Sequence, residues 1–182
     1  MTDHELPPRT PPELPFVIGQ SDVERVRGVG ESRVTMTQLM TPQDTNLTGN
    51  VFGGVILAAV DRIAYVASSR HSGCPTVTAS IDQVDFRSPI EIGEIVTLEA
   101  EINTVGRSSM EVGVRVWAES VRSGPRRLTN QCFVTMVAMD KEHRPVPVPH
   151  IRIETEADYR RYYEAELRRH ARLELLRKQA ED

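Results

Sequence analysis

The chain has 182 residues, of which 39% are hydrophobic and 26% charged, and its formal net charge is -4. That length suits one domain with extensions, built around one sizeable core. The charge argues against general attraction to nucleic acid or an anionic membrane, so a phosphorylated ligand would have to be held by a few local basic groups.

Residues 1–30 open with "MTDHELPPRTPPELPF", where Pro7, Pro8, Pro11, Pro12 and Pro15 predict an extended, poorly ordered tail. No basic segment leads into an apolar run there, so no secretion signal is expected. No apolar run approaches the roughly 20 residues of a membrane span. The expected compartment is the cytoplasm. Cys74 and Cys132 form neither a CxxC pair nor a metal-ligand spacing. They read as free thiols, with Cys132 a small core side chain.

Residues 31–150 carry the domain pattern. "SRVTMTQLMT" alternates as a strand and stops before Pro42. A loop at Gly49–Asn50 leads into a helix from about Phe52 to Arg70, ended by Gly73 and Pro75. Four strands follow. "TVTASIDQVDF" puts Val77, Ala79 and Ile81 in one phase and Val84 and Phe86 in the other, which predicts a bulge near Asp82–Gln83. "EIVTLEAEINTV" and "SSMEVGVRVWAESV" alternate cleanly, whereas "NQCFVTMVAMD" is apolar on both faces, as a central strand would be. The short connections favour antiparallel neighbours. The predicted class is α+β, with one antiparallel sheet curled around a long helix. That helix is apolar nearly all round, so a second subunit is expected to cover what the sheet leaves open. Residues 151–182 form a charged C-terminal helix, with Tyr159, Tyr163, Leu167, Leu173 and Leu176 along one stripe. It could dock on the domain, pack against a partner or project, and its charges read as a solvated face.

Asp61 lies inside the most apolar segment of the chain. A desolvated carboxylate is costly unless paired, so it is either a structural Asp bound to a hydroxyl or a partner's arginine, or a general base or nucleophile. Gly53 and Gly54 mark a helix start or a close backbone approach. Free N–H groups at such a start can hold negative charge developing on oxygen. Gly54 and Asp61 share a helix face but lie roughly 10 Å apart along its axis, too far to share one carbonyl group. Two such helices related by a two-fold axis would bring the start of one to Asp61 of the other.

Asn46, in "DTNLTG", can donate its amide toward the same oxygen or orient a water, although Asn is also a common turn residue. Asp44 reads as a turn or capping residue. The turn of Gly106, Arg107, Ser108 and Ser109 offers donors suited to phosphate, and Arg87 is a second local cation. As lone patterns both read rather as ordinary turn residues than as a phosphate site. His71 could act in acid–base work, but reads rather as a loop or interface histidine. No metal-ligand spacing, GxSxG or P-loop is present.

Taken together, "PQDTNLTGNVFGGVILAAVD", "RH", "VTASIDQVDFRSPIEIGEIV", "GRSSMEVGVRVWAE" and "VPVP" resemble the hot dog-fold acyl-CoA thioesterases. The likeness is greatest to the group of YciA-like enzymes and brain-type acyl-CoA hydrolases, and it runs from about Ser32 to Pro149. It implies a sheet wrapped around a central helix, a double hot dog homodimer as the working unit, and commonly a hexamer of three dimers. It also implies hydrolysis of acyl-CoA to free acid and CoA, an activity of fatty acid metabolism. CoA is then part of the substrate, and no cofactor, metal, nucleic acid or membrane is expected. The family's catalytic aspartate falls on Asp61, its asparagine on Asn46 and its oxyanion glycines on Gly53 and Gly54. Gly106, Arg107, Ser108 and Ser109 are implied near the CoA phosphates. Relatives often carry Asn before the phenylalanine where this chain has Asp85–Phe86, and Asp85 receives no catalytic role. Two other readings remain: a hot dog dehydratase, which would need a histidine partner, and a non-catalytic acyl-CoA-binding sensor.

Overall fold

A computed structural model describes residues 6–121 and 124–181, apart from the side chains of residues 83, 176, 180 and 181. In chain order the elements are β1 (Phe16–Ile18), β2 (Val26–Gly28), α1 (Val29–Ser32), β3 (Val34–Leu39), a 3-10 turn (Pro42–Asp44), α2 (Gly53–Ser72), β4 (Thr76–Phe86), β5 (Glu94–Val105), β6 (Ser109–Ser120), β7 (Arg127–Ala138), β8 (His150–Ile153) and α3 (Glu156–Glu181).

The strongly alternating segments pair as one five-stranded antiparallel sheet in the order β3-β5-β6-β7-β4. Period-two alternation puts Leu98, Val114, Val134 and Met136 on one face, where they bury against Ile56, Val60, Ile63 and Ala67 of α2. The sheet wrapped around a helix, expected from the sequence, is therefore present. β7 is interior, in keeping with its two apolar faces. The bulge expected near Asp82–Gln83 is found between Asp82 and Val84, and a second register shift separates Thr78 from Ser80. α2 runs two residues beyond its expected end, because Gly73 caps it in the left-handed region at φ 76°.

Within the stretch expected to be a poorly ordered tail, β1 and β2 flank β8 in a three-stranded sheet, with β2 parallel to β8. The proline-rich opening hid this, since each of the two strands that follow it is only three residues long. Phe16 also stacks with Tyr159 and Tyr162 of α3, at 5.8 and 6.4 Å between ring centroids.

α3 docks on its own domain. Its contacts are on the sheet face opposite α2, and the charges themselves make them. Arg168 pairs with Glu111 at 2.6 Å and lies 3.5 Å over the Phe133 ring. Arg161 pairs with Glu101 at 3.1 Å, and Arg172 pairs with Asp82. The Thr104 hydroxyl donates to Glu166 at 2.7 Å. The expectation of a purely solvated charged face is thus corrected, because amphipathic side chains bury their stems and pair their heads. Of the predicted stripe, Tyr159 and Tyr163 pack inward, while Leu167 and Leu173 are each 39% exposed. The side chain of Leu176 lies outside the described residues.

Candidate active site

The first turn of α2 has open donors. Its N-cap is Phe52, which supplies no side-chain cap. The Val55 N–H turns back to the Phe52 carbonyl at 2.9 Å, leaving the N–H groups of Gly53 and Gly54 at the exposed positive end of a 20-residue helix. A Cβ on Gly53 would come within 3.2 Å of the Phe86 ring, so glycine there permits a close approach between helix start and strand end.

Asn46 sits just before this start. Its Oδ1 accepts the backbone N–H groups of Thr48 (2.9 Å) and Asn50 (3.1 Å) and the Thr48 hydroxyl (2.7 Å). Three donors on one oxygen fix the amide orientation and turn Nδ2 outward as a donor. Asp44 is a capping residue, as expected. It accepts the N–H and hydroxyl of Thr41 at 2.7 and 2.8 Å, and those bonds hold its carboxyl below the usual range.

Beside Asn46 and Gly53 opens a cavity of about 340 Å³, walled by Val51, Ile56, Phe86, Arg87, Pro89 and Ile90. Two further polar groups line it that the sequence reading passed over, Ser88 and Asn130. Arg87 lies at its exposed rim, and its N–H donates to the Thr129 carbonyl at 2.8 Å.

Asp61 is half-buried, not enclosed. Ala58, Arg62, Tyr65 and Val66 form an exposed stripe around it on α2. Its Oδ1 accepts the hydroxyl of Thr78, 17 residues on, at 2.5 Å. The structural reading of Asp61 as a hydroxyl-bound carboxylate is therefore met on one oxygen, and Oδ2 remains for what approaches the helix. Thr78 was missed in the sequence. The usable signal was the phase of β4, whose apolar Val77 and Ile81 are exposed while Thr76 and Thr78 turn toward α2.

The phosphate-suited turn is at the other end of the sheet from the cavity. Ser109 pairs with Val137 and Phe86 with Asn130, seven positions apart on β7 and so roughly 23 Å. The Gly106 N–H donates to the Ser109 carbonyl, while the carbonyls of Arg107 and Ser108 accept from Val148 and Ala138. α3 adds Arg169 and Arg172 to the small cleft lined by Gly106 and Ser109. One protomer thus has two separated groups: Asn46, Gly53, Gly54 and Arg87 at one end, and Asp61, Thr78 and the 106–109 turn toward the other.

His71 is a core residue, which corrects its reading as a loop or interface histidine. It is fully buried in the last turn of α2 and its Nε2 donates to the Pro149 carbonyl at 3.0 Å. Burial holds its pKa down, against the opposing pull of that carbonyl. Cys132 is buried and its thiol is pushed up to about 11, chiefly by burial, so it is an inert core side chain.

The family model of the thioesterase superfamily matches residues 48–125. The chain is 44% identical over 128 residues to YkhA of Bacillus subtilis, described as an uncharacterized acyl-CoA thioester hydrolase, a match spanning 70% of this chain and 74% of that protein. Its structure is similar to that of an apo-hexameric acyl-CoA thioesterase, with a TM-score of 0.81, 41% identity, and 84% and 97% of the two chains covered. It is also similar to an acyl-CoA hydrolase from Staphylococcus aureus in complex with butyryl-CoA and CoA, with a TM-score of 0.77, 34% identity, and 86% and 97% covered. Alanine variants of that hydrolase were solved at an asparagine, at an aspartate fifteen residues later, and at a threonine a further seventeen residues on. Asn46, Asp61 and Thr78 have the same spacing.

Proposed function

This chain belongs to the acyl-CoA thioester hydrolases of the thioesterase superfamily, and from that premise we propose that it hydrolyses acyl-CoA to a free acid and CoA at sites shared between two copies of itself. The observation that carries the shared site is the separation of the two groups within one protomer. β4 is an edge strand, and the exposed stripe of α2 lies beside it. Two β4 edges paired antiparallel about their midpoint would set the Thr78 end of one against the Phe86 end of the other. Phe86 stands beside Gly53, so Asp61 of one copy would meet the helix start of the other. The exposed Val77, Ile81, Tyr65 and Val66 would be covered in the same step.

In the assembled site the thioester carbonyl lies at the start of α2, its oxygen receiving the N–H groups of Gly53 and Gly54 as negative charge develops. The Asn46 Nδ2 donates to the same oxygen or to the attacking water. Asp61 of the other copy activates that water, or attacks the carbonyl itself to give a mixed anhydride that a water hydrolyses after CoA has left, releasing the acid and restoring the carboxylate. The Thr78 hydroxyl holds the carboxylate in place. The carbonyl then re-forms and CoA leaves as a thiolate, a good leaving group that needs no strong general acid. Arg87 and the 106–109 turn are the groups suited to the CoA phosphates. The reaction asks for no metal or further cofactor. Hexameric relatives support an assembly of three such dimers, and the cytoplasm, where CoA thioesters are made and used, is the compartment of this reading. A dehydratase is disfavoured, since His71 is turned into the core against Pro149.

Thiol release from a panel of acyl-CoAs tests this. Wild type should turn over, and Asp61→Asn should fall by at least about a hundredfold in kcat with an unchanged melting temperature. Binding of acyl-CoA with no thiol released by wild type would instead identify a sensor.

A further inference from the structure

Asn130 is the one inward-facing polar side chain in the β7 row that continues through Cys132, Val134, Met136 and Ala138. It is 0% exposed, and neither its Oδ1 nor its Nδ2 has a hydrogen-bond partner among the described residues. The hydroxyl of Ser88 is likewise buried and unpartnered. Both groups line the cavity beside Asn46 and Gly53, whose remaining wall is largely apolar. A buried amide without partners is costly, and native proteins rarely leave one unless a ligand or trapped water satisfies it. Here a buried donor and acceptor line the same cavity as Asn46 and Gly53, next to the helix start.

We propose that the acyl group of the substrate carries a hydrogen-bonding oxygen beyond the thioester carbonyl, a hydroxyl or keto group, and that Asn130 with Ser88 receives it. This rests on the acyl-CoA hydrolase reading and names its substrate class. The direction follows from depth. Arg87 is exposed and is the group suited to the CoA phosphates, while Asn130 is fully buried on β7. With the carbonyl at Gly53, the part of the substrate that extends inward is the acyl chain. Asn130 is thus a specificity-determining residue. A pocket built to bond an oxygen discriminates against the analogue lacking it, because its own polar groups are then left unpaired.

The test is thiol release by the full chain with hexanoyl-CoA and with its 3-hydroxy, 3-oxo and 6-hydroxy counterparts, compared as kcat/KM. At least one oxygenated substrate should exceed hexanoyl-CoA by about tenfold or more. Asn130→Leu, with the same branching and number of heavy atoms, should bring that ratio to about one or below, and Ser88→Ala, on the loop after β4, should lower it severalfold. The Ser88 variant keeps the test open should the core substitution fail to fold. A wild-type preference for hexanoyl-CoA overturns the proposal. So does a ratio unmoved by both variants, which would assign the amide to a trapped water, or an equal KM rise for all four substrates, which would assign it to the pantetheine arm. If wild type hydrolyses none of the four, the hydrolase reading itself fails and this inference with it.

Discussion

Asp61 draws its position from α2 and its orientation from Thr78. The hydroxyl donates to Oδ1, so the carboxylate enters the site with one oxygen already engaged and one rotamer favoured. A hydrogen bond to a charged group is worth about 1.5–3 kcal/mol. Thr78→Val keeps the β-branched shape and removes the hydroxyl that bonds Asp61. With the weak sulfur contact to Met136 lost as well, it should lower kcat roughly tenfold or more while leaving KM near wild type and the melting temperature little changed, as read by steady-state kinetics and thermal unfolding. His71 sets a different expectation. Burial holds its folded pKa below the ordinary value of 6.5, so below that pH the unfolded chain binds a proton that the folded chain refuses. Stability therefore falls as pH drops from about 6.5, by at most ~1.4 kcal/mol per pH unit for one group. Thermal unfolding between pH 7.5 and 5 should show that decline, and His71→Gln should flatten it.

Among the elements, α3 is held by buried polar contacts. Glu111 is 4% exposed and accepts from Arg168 at 2.6 Å and from the Asn103 amide at 2.9 Å. Glu111→Ala leaves an arginine and an amide unpaired between helix and sheet, which costs about 2–4 kcal/mol. The expected result is a clear drop in melting temperature, together with proteolytic cutting near the C-terminus before the domain itself is attacked. A melting temperature within a degree of wild type would show that the Glu111 contacts contribute little, leaving α3 held by the aromatic cluster of Phe16, Tyr159 and Tyr162 and by its other ion pairs. The start of α2 is legible in the Gly pair because a turn without side chains lets the Phe86 ring approach the backbone closely. β1 and β2 were not legible, since three-residue strands carry too little periodicity to register against the prolines around them.

For the molecule as a whole, the two ends of the sheet divide the chemistry. Asn46→Ala and Asp61→Asn should each be nearly inactive alone. Unfolded together and refolded as a mixture, they would form mixed dimers in which one site has both residues intact. Recovery should reach about a quarter of wild-type activity at equal concentrations, from half the dimers carrying one of two sites. No recovery, with mixed dimers demonstrated by mass, would place the whole site within one chain. Separately prepared variants that have not exchanged subunits give the baseline.

The order of β3, α2 and β4 to β7, the α+β class and the β4 bulge were determined by the sequence alone, which also singled out Asp61, Asn46, Gly53 and Gly54 as candidates. Each is written in a local pattern: a period of two or 3.6, a glycine at a turn, or a carboxylate among apolar neighbours. Tertiary structure decided the rest. It joined Thr78 to Asp61, turned Asn130 into the cavity, brought α3 back onto Glu101 and Glu111, and set the 106–109 turn far from the helix start. Those relations depend on strand register and chain crossing over long separations, and no window of neighbouring residues contains them.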